Sequence, residues 1–475
     1  MNKSKIISVT LIASILSVNV MADNLLDIYR LAKDSDPTYL ASEAGIRASS
    51  ERVNQSMAGL LPQISGSLSY SKSSSDSENE TTTTSAIDNP LTAVDETVPR
   101  SNASSGTSDS TSSGYSINLS QEIYNHSTWL SLKQSEKREL QSKIIHEGAK
   151  QKLIIRVAEA YFNVLAAKDS VEFSKAETKA VSQELAQTKQ RFEVGLIAIT
   201  DVLEAQSRYD RALANQIAAQ NTLDNTHELL QLITGAYHYD LLTLKKSISL
   251  SKPQPETIKT WVKEAEENNI DIKSSKVGLD IAKRNISISQ SGHYPTLGLS
   301  ASYSDRNNDS ESSGSQVFAG QLFPSTTNNS DGDQESSSIS LNLNVPIYSG
   351  GRTNAQVKES QHLYQQASHS LESARRLAVS KARSSYLGVV ANVSSVNALK
   401  QAVISSEKSL EATQAGFEVG TRTIVDVLLQ TQILFDSKRQ YARSRYDYVL
   451  NTLKLKQATG LLTEGDLAKV NQLLR

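Results

Sequence analysis

One block of the chain occurs twice, at an offset of about 225 residues, and this duplication restricts the fold more than any other feature. Phe192-Glu193-Val194-Gly195 returns as Phe417-Glu418-Val419-Gly420, followed in each case by Asp-Val-Leu, at Asp201-Val202-Leu203 and Asp426-Val427-Leu428. Ser116-Ile117-Asn118-Leu119 is echoed by Ser340-Leu341-Asn342-Leu343, and Ile123-Tyr124 by Ile347-Tyr348. Leu61-Pro62 precedes one strand-like run and Tyr294-Pro295 another. An ordered series of matches means a duplicated unit, so each element must be explained in both copies.

Each copy reads helix, strand, polar loop, strand, long helix, turn, helix. In the first strand Ile64, Leu68 and Tyr70 share one face, with Ser65, Ser67, Ser69 and Ser71 on the other. Tyr115, Ile117, Leu119 and Ile123 alternate with Ser116, Asn118, Ser120 and Glu122. The second copy gives Leu297, Leu299, Ala301 and Tyr303, then Ile339, Leu341, Leu343, Val345 and Ile347. Runs of about 9–11 residues with one apolar face suit a membrane-spanning strand, and equally a soluble sheet with one wet face. The connections favour the membrane. Segments 73–113 and 304–338 are rich in Ser, Thr, Asn, Asp and Gly, and each joins two strands of the same kind, as the outer loops of bacterial barrels do.

The helices are long. From Ser127 to Phe192 there is no proline and a single glycine, Gly148. Leu153, Val157, Ala160, Val164, Ala167 and Val171 step by four and three, the spacing of a coiled-coil seam. Val389, Val396, Leu399, Val403, Ser406 and Leu410 repeat it in the second copy. At about 1.5 Å per residue such a helix is a rod of roughly 100 Å. The helices at about 25–59 and 198–233 are roughly half as long, so two of them placed end to end match one long rod. A hydrophobic content of 38% and an aromatic content of 5% fit narrow seams between rods better than one thick core.

Lys3 and Lys5, the apolar run Ile6–Val20 and the small residues ending at Ala22 predict a cleaved signal peptide over residues 1–22. Its removal takes the formal charge from −2 to −4, against nucleic acid as a partner. No later run approaches 18 apolar residues, so no spanning helix is expected. Cysteine is absent, and the seven histidines lack paired-ligand spacing, so neither metal nor cofactor is expected. No nucleophile–base arrangement or Gly-rich phosphate loop appears, which argues against an enzyme. Four strands cannot close a barrel, and open edges in lipid leave backbone groups unsatisfied at several kcal/mol each. The strands must therefore pool with those of other copies. Three copies give twelve strands and an open lumen, two give eight and a filled one.

Several motifs carry a resemblance: Arg191-Phe192-Glu193-Val194-Gly195-Leu196, Ala198-Ile199-Thr200-Asp201-Val202, Gly420-Thr421-Arg422-Thr423-Ile424-Val425-Asp426-Val427-Leu428, Ala160-Tyr161-Phe162-Asn163-Val164-Leu165, Leu223-Asp224-Asn225 and Pro346-Ile347-Tyr348-Ser349-Gly350-Gly351. On these the chain resembles the outer membrane factor family of efflux and secretion channels over essentially its whole mature length. The resemblance implies a mixed α and β fold: an outer-membrane β-barrel of twelve strands in a homotrimer, continued by a long α-helical coiled-coil barrel. Residues 63–124 and 294–348 would supply the strands, with extracellular loops at 73–113 and 304–338. Residues 23–62, 125–293 and 349–475 would form the periplasmic barrel with its equatorial region. The implied function is an exit duct for tripartite multidrug efflux and type I protein secretion. Its partners would be outer-membrane lipid, a periplasmic adaptor and an inner-membrane RND, ABC or MFS transporter. The alternative is a trimeric coiled-coil surface adhesin, although an adhesin does not need duplicated strand pairs flanking returning helices.

The resemblance also assigns residues. Both turns after the long helices fall at the closed periplasmic tip, where Val194, Gly195, Leu196, Val419, Gly420 and Thr421 would be gripped by the adaptor. Arg422, whose place in the first repeat is taken by Ile197, would bond across coils to Thr200 and Asp201 and hold the gate shut. Phe417 stands where the family reference has a tyrosine, and Glu184 where it has a glutamine, so this latch is expected to rely more on the Arg422–Asp201 pair and on packing of Phe417. Asp426 matches one aspartate of the entrance ring, while Leu429 replaces the other. Glu204, the first-repeat equivalent of Leu429, is the remaining candidate for that cation-attracting ring.

Overall fold

A computed structural model describes residues 23–87, 96–318 and 321–475, so the expected signal peptide at 1–22 lies outside the described residues. In chain order the elements are α1 (Leu25–Ser35), α2 (Pro37–Ala58), β1 (Gln63–Ile87), β2 (Glu96–Tyr124), α3 (His126–Glu193), α4 (Ile199–Thr234), α5 (Ile258–Asn268), α6 (Ile270–Gln290), β3 (Thr296–Phe318), β4 (Gln321–Asn344), α7 (Arg352–Glu418), α8 (Ile424–Ala458) and α9 (Glu464–Asn471). The duplication is visible in the long helices, 68 residues in α3 and 67 in α7, and in the returning helices of 36 and 35 residues.

The chain divides into two compact units. The first comprises residues up to Ser49, Arg138–Asp280 and Gln365–Arg475. Its main core is built on the predicted seam: Leu153 and Val157 are fully buried, and Ala160, Val164, Ala167 and Val171 nearly so. Tyr161, Phe162, Tyr446, Leu450 and Leu453 pack in one cluster with Leu153, Val157, Ala160 and Val164. The second seam is only half satisfied within one chain. Val389 and Val396 join the same core, whereas Leu399, Val403, Ser406 and Leu410 remain partly exposed. By length and composition α7 qualifies as apolar enough to cross a membrane, where the sequence reading expected no such helix. Within one chain only 11% of that apolar stretch is buried.

The expectation of one continuous helix over about 25–59 requires correction. The helix breaks at Asp36, because Pro37 lacks the N–H that continuation needs. The Asp36 carboxylate, which is buried, accepts from the Tyr39 backbone at 2.7 Å and from Arg156 at 2.7 Å. At this break Ser35 donates to the Thr234 carbonyl at the end of α4. The second copy does the same with other residues: between α5 and α6, Asn269 donates to the Ala458 carbonyl at the end of α8 and caps α6 through the Ile272 N–H. Each returning helix thus ends against a break in the helix that leads into its own strands.

The second unit comprises Ser50–Lys137 and Ile281–Tyr364 and contains one four-stranded antiparallel sheet, ordered β1-β2-β3-β4. Its register puts like residues in rows. Ile64, Leu119, Ala301 and Ile339 lie side by side on one face. One step along, Ser65, Asn118, Ser302 and Ser338 lie on the other. Cross-strand hydroxyl pairs lace the polar face, Ser67 with Ser116 at 2.8 Å, Ser300 with Ser340 at 2.7 Å and Ser302 with Ser338 at 2.8 Å. The apolar face is bare: Ile64 is 71% exposed, Leu68 90% and Ile339 82%.

The segments read as loops, 73–113 and 304–338, are another correction. The ladder continues through them, with Ser73 opposite Ser110, Glu80 opposite Ala103 and Ser310 opposite Ser330. Low hydrophobicity argued for loops, but strand pairing satisfies the backbone and needs no apolar core. Hydroxyl pairs such as Ser73 with Ser110 at 2.6 Å and Thr107 with Ser313 at 2.7 Å extend the lacing outward. Residues 88–95 and 319–320 lie outside the described residues.

Candidate functional site: the paired turns between long and returning helices

Both turns are made by the same backbone device. Gly195 and Gly420 each have φ of 78°, a left-handed conformation that glycine adopts without penalty. Gly195 N–H donates to the Phe192 carbonyl at 2.9 Å, and Gly420 N–H to that of Phe417 at 3.1 Å. One residue on, Leu196 N–H bonds to the Arg191 carbonyl at 2.9 Å and Thr421 N–H to the Gly416 carbonyl at 2.8 Å. The side chains at the apex point to solvent: Val194 is 70% exposed, Leu196 73% and Val419 75%. These are three of the predicted adaptor-contact positions, and Gly195, Gly420 and Thr421 are exposed beside them.

The helices behind the turns close on a small core of Val181, Leu185, Ala205, Phe417, Ile424, Val427 and Leu428. Phe417 is buried there, and the Arg191 guanidinium lies 4.3 Å from its ring centre, a cation–π contact from α3 to α7. Glu184, one of the two departures from the family reference, accepts from Gln414 Nε2 at 3.3 Å, again across α3 and α7. Burial raises the Glu184 carboxyl above the usual carboxylate range, an effect that Gln414 and the nearby Arg191 oppose.

The remaining predicted residues are placed as follows. Asp426 caps its own helix: its Oδ2 accepts from the Thr423 N–H at 3.0 Å and the Thr423 hydroxyl at 2.9 Å, while Asp426 N–H returns a bond to Thr423 Oγ1 at 3.3 Å. This reciprocal capping box holds the Asp426 carboxyl below the usual range, with the nearby Arg422 assisting. Within one chain its pKa therefore moves opposite to the rise expected from a ring of like charges. Glu204 is tied up in another way, accepting from Arg208 at 3.0 Å, and Arg208 also reaches Gln432 at 3.1 Å. Thr200 and Asp201 lie in the first turn of α4, where the capping position is Ala198 and no side-chain cap forms. Among the described residues of one chain, Arg422 bonds to neither Thr200 nor Asp201; its side chain lies against Gly416 and close to Asp426. A latch made by Arg422 must therefore reach a second copy or a rearranged turn.

Sequence reasoning missed Arg191, Gln414, Gly416 and the role of Thr423. The Thr423-x-x-Asp426 spacing is the pattern of a capping box and was legible. The other three have no local signal, because their partners come from other helices or from the far side of the turn.

The chain matches the outer membrane efflux protein family over residues 28–236 and 261–461, two segments that correspond to the two copies of the repeat. It is 38% identical to outer membrane protein TolC of Vibrio cholerae over 96% of this chain and 95% of that protein. It is 37% identical to TolC of Escherichia coli over 95% of this chain and 85% of that one. Alkaline protease secretion protein AprF of Pseudomonas aeruginosa is 25% identical over 96% of this chain and 88% of its own length. Among solved structures, the Campylobacter jejuni CmeC outer membrane channel superposes with a TM-score of 0.68 at 16% identity, covering 95% of this chain and 89% of that one. The duplicated helix–strand order, the open four-stranded sheet and these matches agree, and the chain belongs to the outer membrane efflux protein family.

Proposed function

We propose that the chain is one subunit of a homotrimeric exit duct of the outer membrane, serving drug efflux and type I secretion, closed at its helical end and opened by docked partners. The observation that carries this reading is the sheet. It has one bare apolar face, one face of paired hydroxyls, and two unpaired edges at β1 and β4. Lipid satisfies the first, a water-filled bore the second, and β1–β4 pairing between copies the third. Twelve strands enclose an open lumen, whereas eight are filled by their own side chains. The half-exposed seam of α7 gives neighbouring copies an apolar surface to pack on in the helical part, which extends into the periplasm.

At the helical end, Arg422 of one copy reaches Thr200 and Asp201 across the coils. Asp201 suits this role because its carboxylate is not consumed by a cap, whereas that of Asp426 is. An arginine–carboxylate pair in water contributes about 0–1 kcal/mol. Three such pairs, added to the packing of Phe417, bias the closed state by an amount that a docked adaptor reverses. The exposed apex residues Val194, Leu196 and Val419 offer the adaptor an apolar grip around the two glycine turns. An inner-membrane transporter of the RND, ABC or MFS type supplies cargo. Asp426 and Glu204 line the entrance, where Asp426 stays charged because its cap depresses its pKa. Nothing in the sheet or the comparisons favours the adhesin alternative.

The test is reconstitution of the purified full chain in planar bilayers. A trimer with small, rarely opening conductance is expected. Material that stays monomeric and carries no ions would overturn the reading. In cells, deletion should sensitise to detergents and dyes and abolish toxin secretion.

A further inference from the structure

A Cβ placed on Gly416 would stand 2.8 Å from Cγ and 3.5 Å from Cβ of Arg422, and 3.2 Å from the Thr421 hydroxyl. Real Cβ atoms essentially never come within 3.0 Å of a neighbour. The Gly416 carbonyl meanwhile accepts from Thr421 N–H at 2.8 Å, Arg422 N–H at 3.2 Å and Thr421 Oγ1 at 3.0 Å. The stem of Arg422 is therefore folded back onto the last turn of α7, fixed at its root by a backbone bond, and it fills the space that a side chain at 416 would take. Gly416 is an ordinary helical residue and not one of the positive-φ glycines. Backbone freedom does not account for it, and in a helix interior glycine is disfavoured against alanine.

The first repeat serves as an internal control. There the residue in the place of Gly416 is Arg191, and the residue in the place of Arg422 is Ile197. The backbone bond is the same, Leu196 N–H to the Arg191 carbonyl, so the turn itself does not require glycine. The Arg191 side chain leaves the turn and covers Phe417. Only where the turn carries arginine is the helix position bare.

We propose that Gly416 is the positioning residue for Arg422: its missing side chain is the seat on which the arginine stem rests, and this seat sets the direction in which the guanidinium leaves the turn. The inference rests on Arg422 acting at the gate as described under Proposed function. Because the clashing atom is Cγ, near the root of the side chain, Gly416→Ala forces Arg422 into another χ1 rotamer while favouring the helix.

The experiment compares the full-length wild type with Gly416→Ala, Arg422→Ser, the double variant and Gly388→Ala in planar bilayers. Gly388 lies in the same helix, and a Cβ there meets nothing within 4 Å. Gly416→Ala, carried by all three subunits, should raise the open fraction up to roughly a hundredfold, the scale of three exposed ion pairs, without lowering the melting temperature. The double variant should open no further than Arg422→Ser, and Gly388→Ala should match the wild type. If Gly416→Ala conducts like the wild type while Arg422→Ser opens the channel, or if the two effects add, the proposal is overturned. If Arg422→Ser itself changes nothing, the gate reading fails, and a cryo-EM map of Gly416→Ala decides the seat: a turned Arg422 rotamer upholds it, and an unchanged one overturns it.

Discussion

The two turns of the repeat share a backbone and differ in nearly everything attached to it. Gly195 and Gly420 have the same φ and close the same hydrogen bonds. Yet Phe192 is 40% exposed while its counterpart Phe417 is 8% exposed and belongs to the local core. Thr423 caps α8 through a reciprocal box with Asp426, whereas Ala198 leaves α4 uncapped and Asp201 free of that role. An arginine sits on the turn in one copy and at the end of the long helix in the other. Duplication supplied two identical scaffolds, and the differences divide the work. Within one chain the Phe417 ring and the Asp426 carboxylate of the second turn are engaged in a core and a cap, whereas the Phe192 ring is half exposed and the Asp201 carboxylate makes no cap.

Substitutions at matched positions test this division. The largest contrast is expected at the two phenylalanines. Phe417→Ala removes a buried ring and its cation–π contact with Arg191 and should destabilise the end of α7 by about 3 kcal/mol. In the isolated chain, Phe192→Ala should cost under about 1 kcal/mol. Hydrogen exchange across the ends of α3 and α7 measures both, and equal effects would dissolve the comparison. Next come the caps. Thr423→Ala should cost about 1 kcal/mol in the first turn of α8, and Ala198→Thr should gain α4 a similar amount through a new bond to the Asp201 backbone. If Ala198→Thr also ties up the Asp201 carboxylate, channels carrying it should open more readily. Arg191→Ala should cost about 0.5–1 kcal/mol, the worth of an accessible cation–π contact. A loss of several kcal/mol would mean that Arg191 does more than cover Phe417.

The smallest effect is one of pH, and its sign distinguishes two carboxylates. Burial raises Glu184, so folding favours its protonated form. Its contribution is present at low pH and is lost as pH rises from the ordinary glutamate value of 4.5 through the raised folded one. Asp426 is depressed by its cap, so its contribution is present above the ordinary aspartate value of 3.8 and is lost as pH falls through the lowered one. Melting curves of Glu184→Gln against the wild type should therefore diverge as pH rises above 4.5, with the variant the more stable. A wild type that stays level with the variant across that range would place Glu184 in water.

Much of this is legible in the sequence. The seam from Leu153 to Val171 proved buried, because a four-three spacing on so long a helix leaves one continuous stripe to cover. The alternation from Ile64 to Tyr70 and from Leu297 to Tyr303 gave the strand faces correctly, because successive side chains in a strand must point to opposite sides. Composition misled at 73–113 and 304–338. Serine and threonine content measures how little a segment can bury, and a hairpin that extends an existing ladder needs little burial.

The amino-acid order alone determined the duplication, the lengths of the rods, the faces of the strands and the two glycine turns, all of which follow from local periodicity and backbone preference. Only the tertiary structure decided that Arg191 covers Phe417, that Glu184 meets Gln414, that each returning helix ends against a break at Asp36 or Asn269, and that Arg422 rests on Gly416. Those contacts join residues whose spacing along the chain carries no period. What fixes them is the close packing of separate helices, in which the volume left by one residue is filled by a distant other.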